Sequence, residues 1–240
     1  MTGLVTNLPF GVGTASRDTT LGLFPVPDPT SVASFFDDFY QYAAGDWTVT
    51  NTTSHATIGL VAASSSVATG GVLELHGGAS SATNDVAAIQ ASPLPFYFAA
   101  TAELWFEAQI QLDVAANNLV LVGLSTSAAT VAPSDGIYFS KAAGAATVDF
   151  VVRKSSTSTT QSAITTLANA TGVKLGFYYN GVDTIFVYVD GVLVYRQTTL
   201  TNLPSSVALG QMIAMKLAAT APTTAYLYSD YMLAAQSRAT

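Results

Sequence analysis

From Phe35 onward the chain is written in short runs of alternating apolar and polar residues separated by turn chemistry. Over Glu103–Leu112, the residues Leu104, Phe106, Ala108, Ile110 and Leu112 face one way. Glu103, Trp105, Glu107, Gln109 and Gln111 face the other, which is the period of a half-buried strand. Gly172–Asn180 repeats the pattern, with Val173, Leu175, Phe177 and Tyr179 set against Lys174 and Tyr178. Further strands are predicted at Gly71–His76, Val86–Gln90, Leu119–Leu124, Gly136–Phe139, Thr147–Arg153, Leu209–Leu217 and Thr224–Leu233. Gly77-Gly78, Asn117-Asn118, Ser134-Asp135-Gly136, Asn180-Gly181 and Leu203-Pro204-Ser205 supply turns between them. Ser155–Thr160 reads as a low-complexity loop tip. Many strands with no amphipathic helix between them predict an all-β sandwich or barrel.

The sharpest local signal lies at Thr184–Tyr195, where Asp190-Gly191 separates two apolar runs. That pair suits a type I′ hairpin turn, which needs positive φ at both central residues. A two-residue loop sets Val189 opposite Val192, Val187 opposite Val194 and Ile185 opposite Arg196. The other side of the hairpin then carries Phe186, Tyr188, Leu193 and Tyr195, so both faces are apolar and both call for a cover.

Residues 1–34 follow another grammar. They hold Gly3, Gly11, Gly13 and Gly22, then Pro25, Pro27 and Pro29, and their apolar residues Leu4, Val5, Leu8, Phe10, Leu21, Leu23 and Phe24 keep neither helical nor strand period. The proline spacing forces an extended course. The expectation is an extended N-terminal arm over 1–34 lying on a protein surface, followed by one sandwich domain over 35–240.

Composition sharpens this. Only 10% of residues are charged, against about 25% in an ordinary soluble domain; the surface is clothed either by other protein or by Ser, Thr, Asn and Gly. Eight basic against fifteen acidic residues give a net charge of −7, which excludes the basic footprint that nucleic acid demands. With no cysteine there is no disulfide, zinc-thiolate site or cysteine nucleophile. Met1–Val5 lacks the basic start of a signal peptide, and the apolar runs are too short and broken to span a bilayer. No cofactor is expected.

Several pieces together resemble a known group. Gly176-Phe177-Tyr178-Tyr179, then Tyr188-Val189-Asp190-Gly191-Val192 within a hairpin, is similar to the late hairpin of laminin-G, pentraxin and related concanavalin A-like domains. With Phe36-Asp37-Asp38-Phe39, Trp47-Thr48-Val49, Leu104-Trp105-Phe106-Glu107 and Asp135-Gly136-Ile137-Tyr138-Phe139, the chain resembles virion proteins of tailed bacteriophages. The resemblance implies a concanavalin A-like jelly-roll sandwich. It also implies a head decoration (cement) protein on the capsid surface, assembled in the host cytoplasm, with the major capsid protein as partner. A homotrimer matching three-fold shell positions follows from the same likeness. Capsid or subunit contacts would come from the apolar arm residues and from Phe186, Tyr188, Leu193 and Tyr195. The alternative is a carbohydrate-binding module of a tail fibre, with Trp47, Trp105 or Tyr178 stacking on sugar.

Catalysis is not expected. The fold also hosts laminarinase-type glycosidases, but Glu103 and Glu107 stand four residues apart on a strand, about 13 Å at ~3.4 Å each. Retaining hydrolysis wants carboxyl groups about 5 Å apart and inverting about 6.5–9.5 Å. The acidic Glu-x-Asp-x-x-Glu motif of those enzymes is also absent. His55 and His76 have no paired spacing for zinc, no serine sits in a Gly-x-Ser-x-Gly elbow, and Gly11-Val12-Gly13 precedes no strand–helix unit. Asp37, Asp38, Asp135 and Asp230 read as turn formers before calcium ligands.

Overall fold

The alternation that marks Glu103–Leu112 builds the middle of one layer of a two-sheet sandwich. In the computed structural model, Leu104, Phe106, Ala108, Ile110 and Leu112 are at most 2% exposed and face the other sheet. The structure describes residues 32–41, 44–51, 57–61, 71–77, 86–116, 118–126, 131–217 and 225–238. The strands are β1 (Val32–Asp37), β2 (Trp47–Asn51), β3 (Thr57–Val61), β4 (Val72–Gly77), β5 (Val86–Ala91), β6 (Phe96–Tyr97), β7 (Leu104–Leu112) and β8 (Asn118–Ser125). They continue with β9 (Gly136–Lys141), β10 (Thr147–Lys154), β11 (Thr157–Thr166), β12 (Val173–Tyr179), β13 (Ile185–Val189), β14 (Val192–Gln197), β15 (Ala208–Leu217) and β16 (Ala225–Ser237).

The first sheet runs β14-β13-β12-β7-β16-β4-β3, with β1 also pairing β16; the second runs β11-β10-β9-β8-β15-β5-β2, with β6 pairing β15. Every strand pairing among the described residues is antiparallel. The all-β expectation is met as a jelly-roll sandwich. Between the layers, Phe177 of β12 meets Phe150 and Phe139 of the second sheet with ring centroids 5.8 and 6.3 Å apart. Phe106 stacks on Phe177 at 5.3 Å. Each such ring contributes about 1.5–3 kcal/mol by burial.

The second sheet is apolar on its outward side as well. Val86, Ala88, Leu121, Tyr138, Val151, Met212 and Ala214 form a separate buried cluster, with Val131 packed against it. The registers place them together: Leu121 opposes Ala214, Ala214 opposes Ala88, and Val151 opposes Tyr138. Gly123 lets Tyr138 approach, since a Cβ there would lie 2.4 Å from the Ile137 carbonyl and 2.7 Å from the Tyr138 Cβ. Lys141, at the end of β9, turns the other way, into the interior: it is 1% exposed and shares a small cavity with Ile110, Val120, Phe139 and Leu175. Its ammonium donates to the carbonyls of Asn118 and Ala142, and burial lowers its pKa to about 8.

Three local expectations are corrected. Ser155–Thr160 is no loop: Ser155 and Ser156 alone form the turn, both at positive φ, and Thr157 begins β11, whose β-branched threonines pair with β10. Asp190-Gly191 forms the expected tight turn at φ 50° and 76°, and Val189 opposes Val192. Beyond that pair a bulge inserts Val194, so Val187 opposes Tyr195 and Ile185 opposes Gln197. The bulge swings Tyr195 to the inward side, against the core, away from Phe186, Tyr188 and Leu193. β1 opens at Val32, three residues before the expected start of the sandwich. The arm up to residue 31, with all its candidate contacts from Leu4 to Phe24, lies outside the described residues, as do Gly11–Gly13 and His55. Among the described residues no helix is long and apolar enough to cross a membrane.

Candidate functional site

The polar half of the β7 alternation lies on the outward face of the first sheet, and the register assembles its neighbours. Across one row the pairings run Arg196 of β14, Phe186 of β13, Tyr178 of β12, Trp105 of β7, Ala235 of β16 and Ser34 of β1. The next row runs Leu193, Tyr188, Gly176, Glu107, Leu233 and Phe36. Trp105 and Tyr178 stack at 5.0 Å, Tyr178 and Phe186 at 5.8 Å, and the Arg196 guanidinium lies 5.7 Å over the Phe186 ring. These cross-strand pairs, each worth about 0.5–1.5 kcal/mol, set the rings in file across three strands.

At the β16 end the file meets small or flexible side chains. Beside Trp105 stands Ala235, and beyond it Ser34 and the 60% exposed Phe36, whose ring reaches Tyr231 at 6.3 Å. Trp105 and β1 are two strand spacings apart, about 9–10 Å. Ala235 lies between Trp105 and Ser34 of β1, so the file of rings ends on a small side chain.

Two carboxylates flank Trp105 on this face, each tied to a phenol. The Tyr178 hydroxyl donates to Glu103 at 2.7 Å, and the Tyr231 hydroxyl donates to Glu107. Burial, then the bond to Glu103, pushes Tyr178 up to about 12. Burial and the bond to Glu107 push Tyr231 well above the ordinary phenol value. Both phenols stay protonated, so each carboxylate is held by a fixed donor and keeps further lone pairs for ligand hydroxyls. A second aromatic group lies along β16: Tyr226 stacks on His76 at 4.9 Å and on Tyr228 at 5.9 Å. Tyr228, cross-strand from Glu74, is pushed up to about 12 by burial and that charge.

Of the residues expected to stack on sugar, Trp105 and Tyr178 lie here and Trp47 does not. Trp47 is 4% exposed, packs edge-on against Phe35 and beside Phe39, and donates its indole N–H to Asp37 at 3.2 Å. Thr48 and Val49 beside it stay exposed, but Phe39 packs over the Trp47 ring. Tyr231 was missed because a bulge at Asp230 breaks the alternation of β16. Asp37 accepts from the Phe39 amide, Asp38 from the Tyr40 amide and Asp135 from the Ser155 amide, the work of turn formers. Among the described residues no group of three or more potential ligands gathers to hold a metal.

No family model and no curated protein sequence matches the chain. Solved structures do. An endo-1,3-β-glucanase from Streptomyces sioyaensis superposes with a TM-score of 0.61 at 12% identity, covering 89% of this chain and 99% of the enzyme. A protein of unknown function from Shewanella oneidensis MR-1 gives 0.61 at 14%, covering 88% and 90%. A Bacillus licheniformis β-glucanase gives 0.57 at 14%, covering 86% and 98%. At this identity the likeness establishes the jelly-roll, concanavalin A-like sandwich, a fold this chain shares with glycoside hydrolases.

Proposed function

We propose that the outward face of the first sheet binds a neutral polysaccharide and does not cleave it. The observation that carries this is the Trp105–Tyr178–Phe186 file ending on the small Ala235, with Glu103 and Glu107 held as acceptors beside it. Aromatic rings take the apolar face of a sugar, and carboxylates take its hydroxyls. Glu74, Glu103, Glu107 and Asp230 outnumber Lys174 and Arg196 on or beside this face, and with a net charge of −7 they disfavour an anionic glycan. Non-cleavage rests on the four-residue spacing of Glu103 and Glu107 along the strand, too wide for paired acid–base work, and on the missing acidic motif. The glucanase neighbours make soluble β-glucan oligosaccharides the first probes. Calorimetric titration should show saturable binding that Trp105→Ala abolishes, with no reducing sugar released on long incubation. Absence of binding across neutral glucans and mannans sinks the first half of the proposal. Turnover lost in Glu103→Gln or Glu107→Gln sinks the second.

A second reading, a head decoration protein bound to the major capsid protein, keeps one observation in its favour. A chain with 10% charge that leaves Val192, Leu193 and Val194 exposed fits a surface covered by other protein. Its role rests on the sequence resemblance; the structural likeness supports its fold. Retention of the protein on purified heads, and its loss when residues 1–31 are removed, tests it.

A further inference from the structure

The outward face of the first sheet continues past the Trp105 file. In steps of two along β7, Trp105, Glu107, Gln109 and Gln111 share this side. The register sets Tyr231 of β16 opposite Gln109 and Tyr228 opposite Gln111, with Glu74 of β4 on the far side of Tyr228. Two positions further, Tyr226 stands opposite His76. Tyr226, Tyr228, His76 and Glu74 are all half-buried. The Tyr226 and Tyr228 rings lie almost parallel, at 3° and 5.9 Å, and His76 stacks on Tyr226 at 4.9 Å. The Tyr226 amide donates to the Asp113 carboxylate at 2.9 Å, which fixes the start of β16.

Gln111 is an independent sign of a ligand here. Its side chain is 5% exposed, yet Oε1 accepts no hydrogen bond from any described residue. Proteins rarely leave a buried acceptor without a donor, because its lost hydration is then not replaced. Gln111 and Glu74 flank Tyr228 from the two neighbouring strands, so an acceptor stands on each side of a half-buried ring. Sugar hydroxyls donate to such acceptors, and the ring takes the apolar face of the sugar.

We infer that Tyr228, with Gln111 and Glu74, is a second sugar subsite, and that the ligand is a linear chain of several sugar units lying along β7. This rests on the glycan reading of the Trp105 file. Gln111 is six positions from Trp105, about 20 Å at ~3.4 Å each. A single sugar unit fills one subsite, and only a longer chain touches both. Its second contact forms within a complex already made, so it adds affinity without a second loss of overall freedom. Between the subsites the chain passes Glu107, Gln109 and Tyr231. The tyrosine subsite adds to the Trp105 anchor and does not replace it.

Calorimetric titration of the full chain with linear β-glucan oligosaccharides of increasing length tests this. Affinity should rise about a hundredfold once the oligosaccharide spans both subsites, and then level off. Gln111→Leu keeps the bulk and removes the unpartnered acceptor, so the melting temperature should hold while the gain with length shrinks about tenfold. Tyr228→Ala should remove the gain and leave the shortest bound oligosaccharides at wild-type affinity. Affinity independent of length overturns the second subsite and leaves the Trp105 site standing. A gain that survives Tyr228→Ala overturns its placement, and so does one that survives Gln111→Leu, which would give Oε1 to water. No binding at any length removes the glycan reading and this subsite with it.

Discussion

The two sheets share a core and an antiparallel topology, yet their outward faces are opposites. The first carries half-buried aromatics and carboxylates tied to tyrosine hydroxyls. The second carries a buried aliphatic cluster centred on Leu121, Ala214 and Ala88, and turns its Lys141 inward. One face keeps polar and aromatic groups at the surface; the other is packing. Substitutions on the two faces should therefore separate folding from binding.

The largest expected effect lies on the second sheet. Leu121→Ala should cost about 2–5 kcal/mol in urea denaturation, as a core truncation does, and leave glucan affinity unchanged in the folded fraction. A loss under about 1 kcal/mol would show that this face is not part of the packed interior.

Next comes Lys141. Its folded pKa of about 8 lies below the ordinary lysine value of 10.5, so between these values the unfolded chain binds more protons and stability rises with pH. The penalty for burying the charge is complete below pH 8 and amounts to no more than about 3 kcal/mol. Tyr178 and Tyr228, pushed up to about 12, act in the opposite sense above pH 10, where unfolded tyrosines begin to ionise. Denaturation of the wild type against Lys141→Met isolates the lysine: the variant should be more stable at pH 7 and converge with the wild type as pH approaches 10. A constant difference across that range would show that Lys141 does not titrate as its burial demands.

Trp105→Ala should invert the Leu121 result, abolishing glucan binding while costing about 1 kcal/mol of stability from the lost stack on Tyr178. The smallest effect is expected from Glu107→Gln, which keeps an acceptor for Tyr231. Its stability should stay within about 1 kcal/mol of wild type and its glucan affinity should fall only modestly. Equal binding losses from Leu121→Ala and Trp105→Ala would erase the distinction between the faces.

Much of the fold was legible because its signals are local. The Asp190-Gly191 turn follows from the two residue types that tolerate positive φ, and the inward face of β7 follows from a period of two. The double burial of the second sheet also leaves a trace: β5, β8 and β15 read as nearly continuous apolar runs, VAAIQA, NLVLVGLS and ALGQMIAMKL. β11 hid behind a Ser/Thr composition that suits a loop as well as an edge strand, and partner strand β10 decided between them.

The sequence by itself determined the all-β class, the Asp190-Gly191 turn, the two sides of β7 and a net charge of −7. Those properties depend on neighbours a few residues apart or on sums over the chain. The tertiary structure alone decided that Trp105 meets Tyr178, that Tyr231 meets Glu107, that Trp47 is buried, and that Val194 bulges to carry Tyr195 inward. Trp105 and Tyr178 are 73 positions apart, and Tyr231 and Glu107 are 124 apart. Their meeting depends on strand order and register, and a single inserted residue moves every later side chain to the other face.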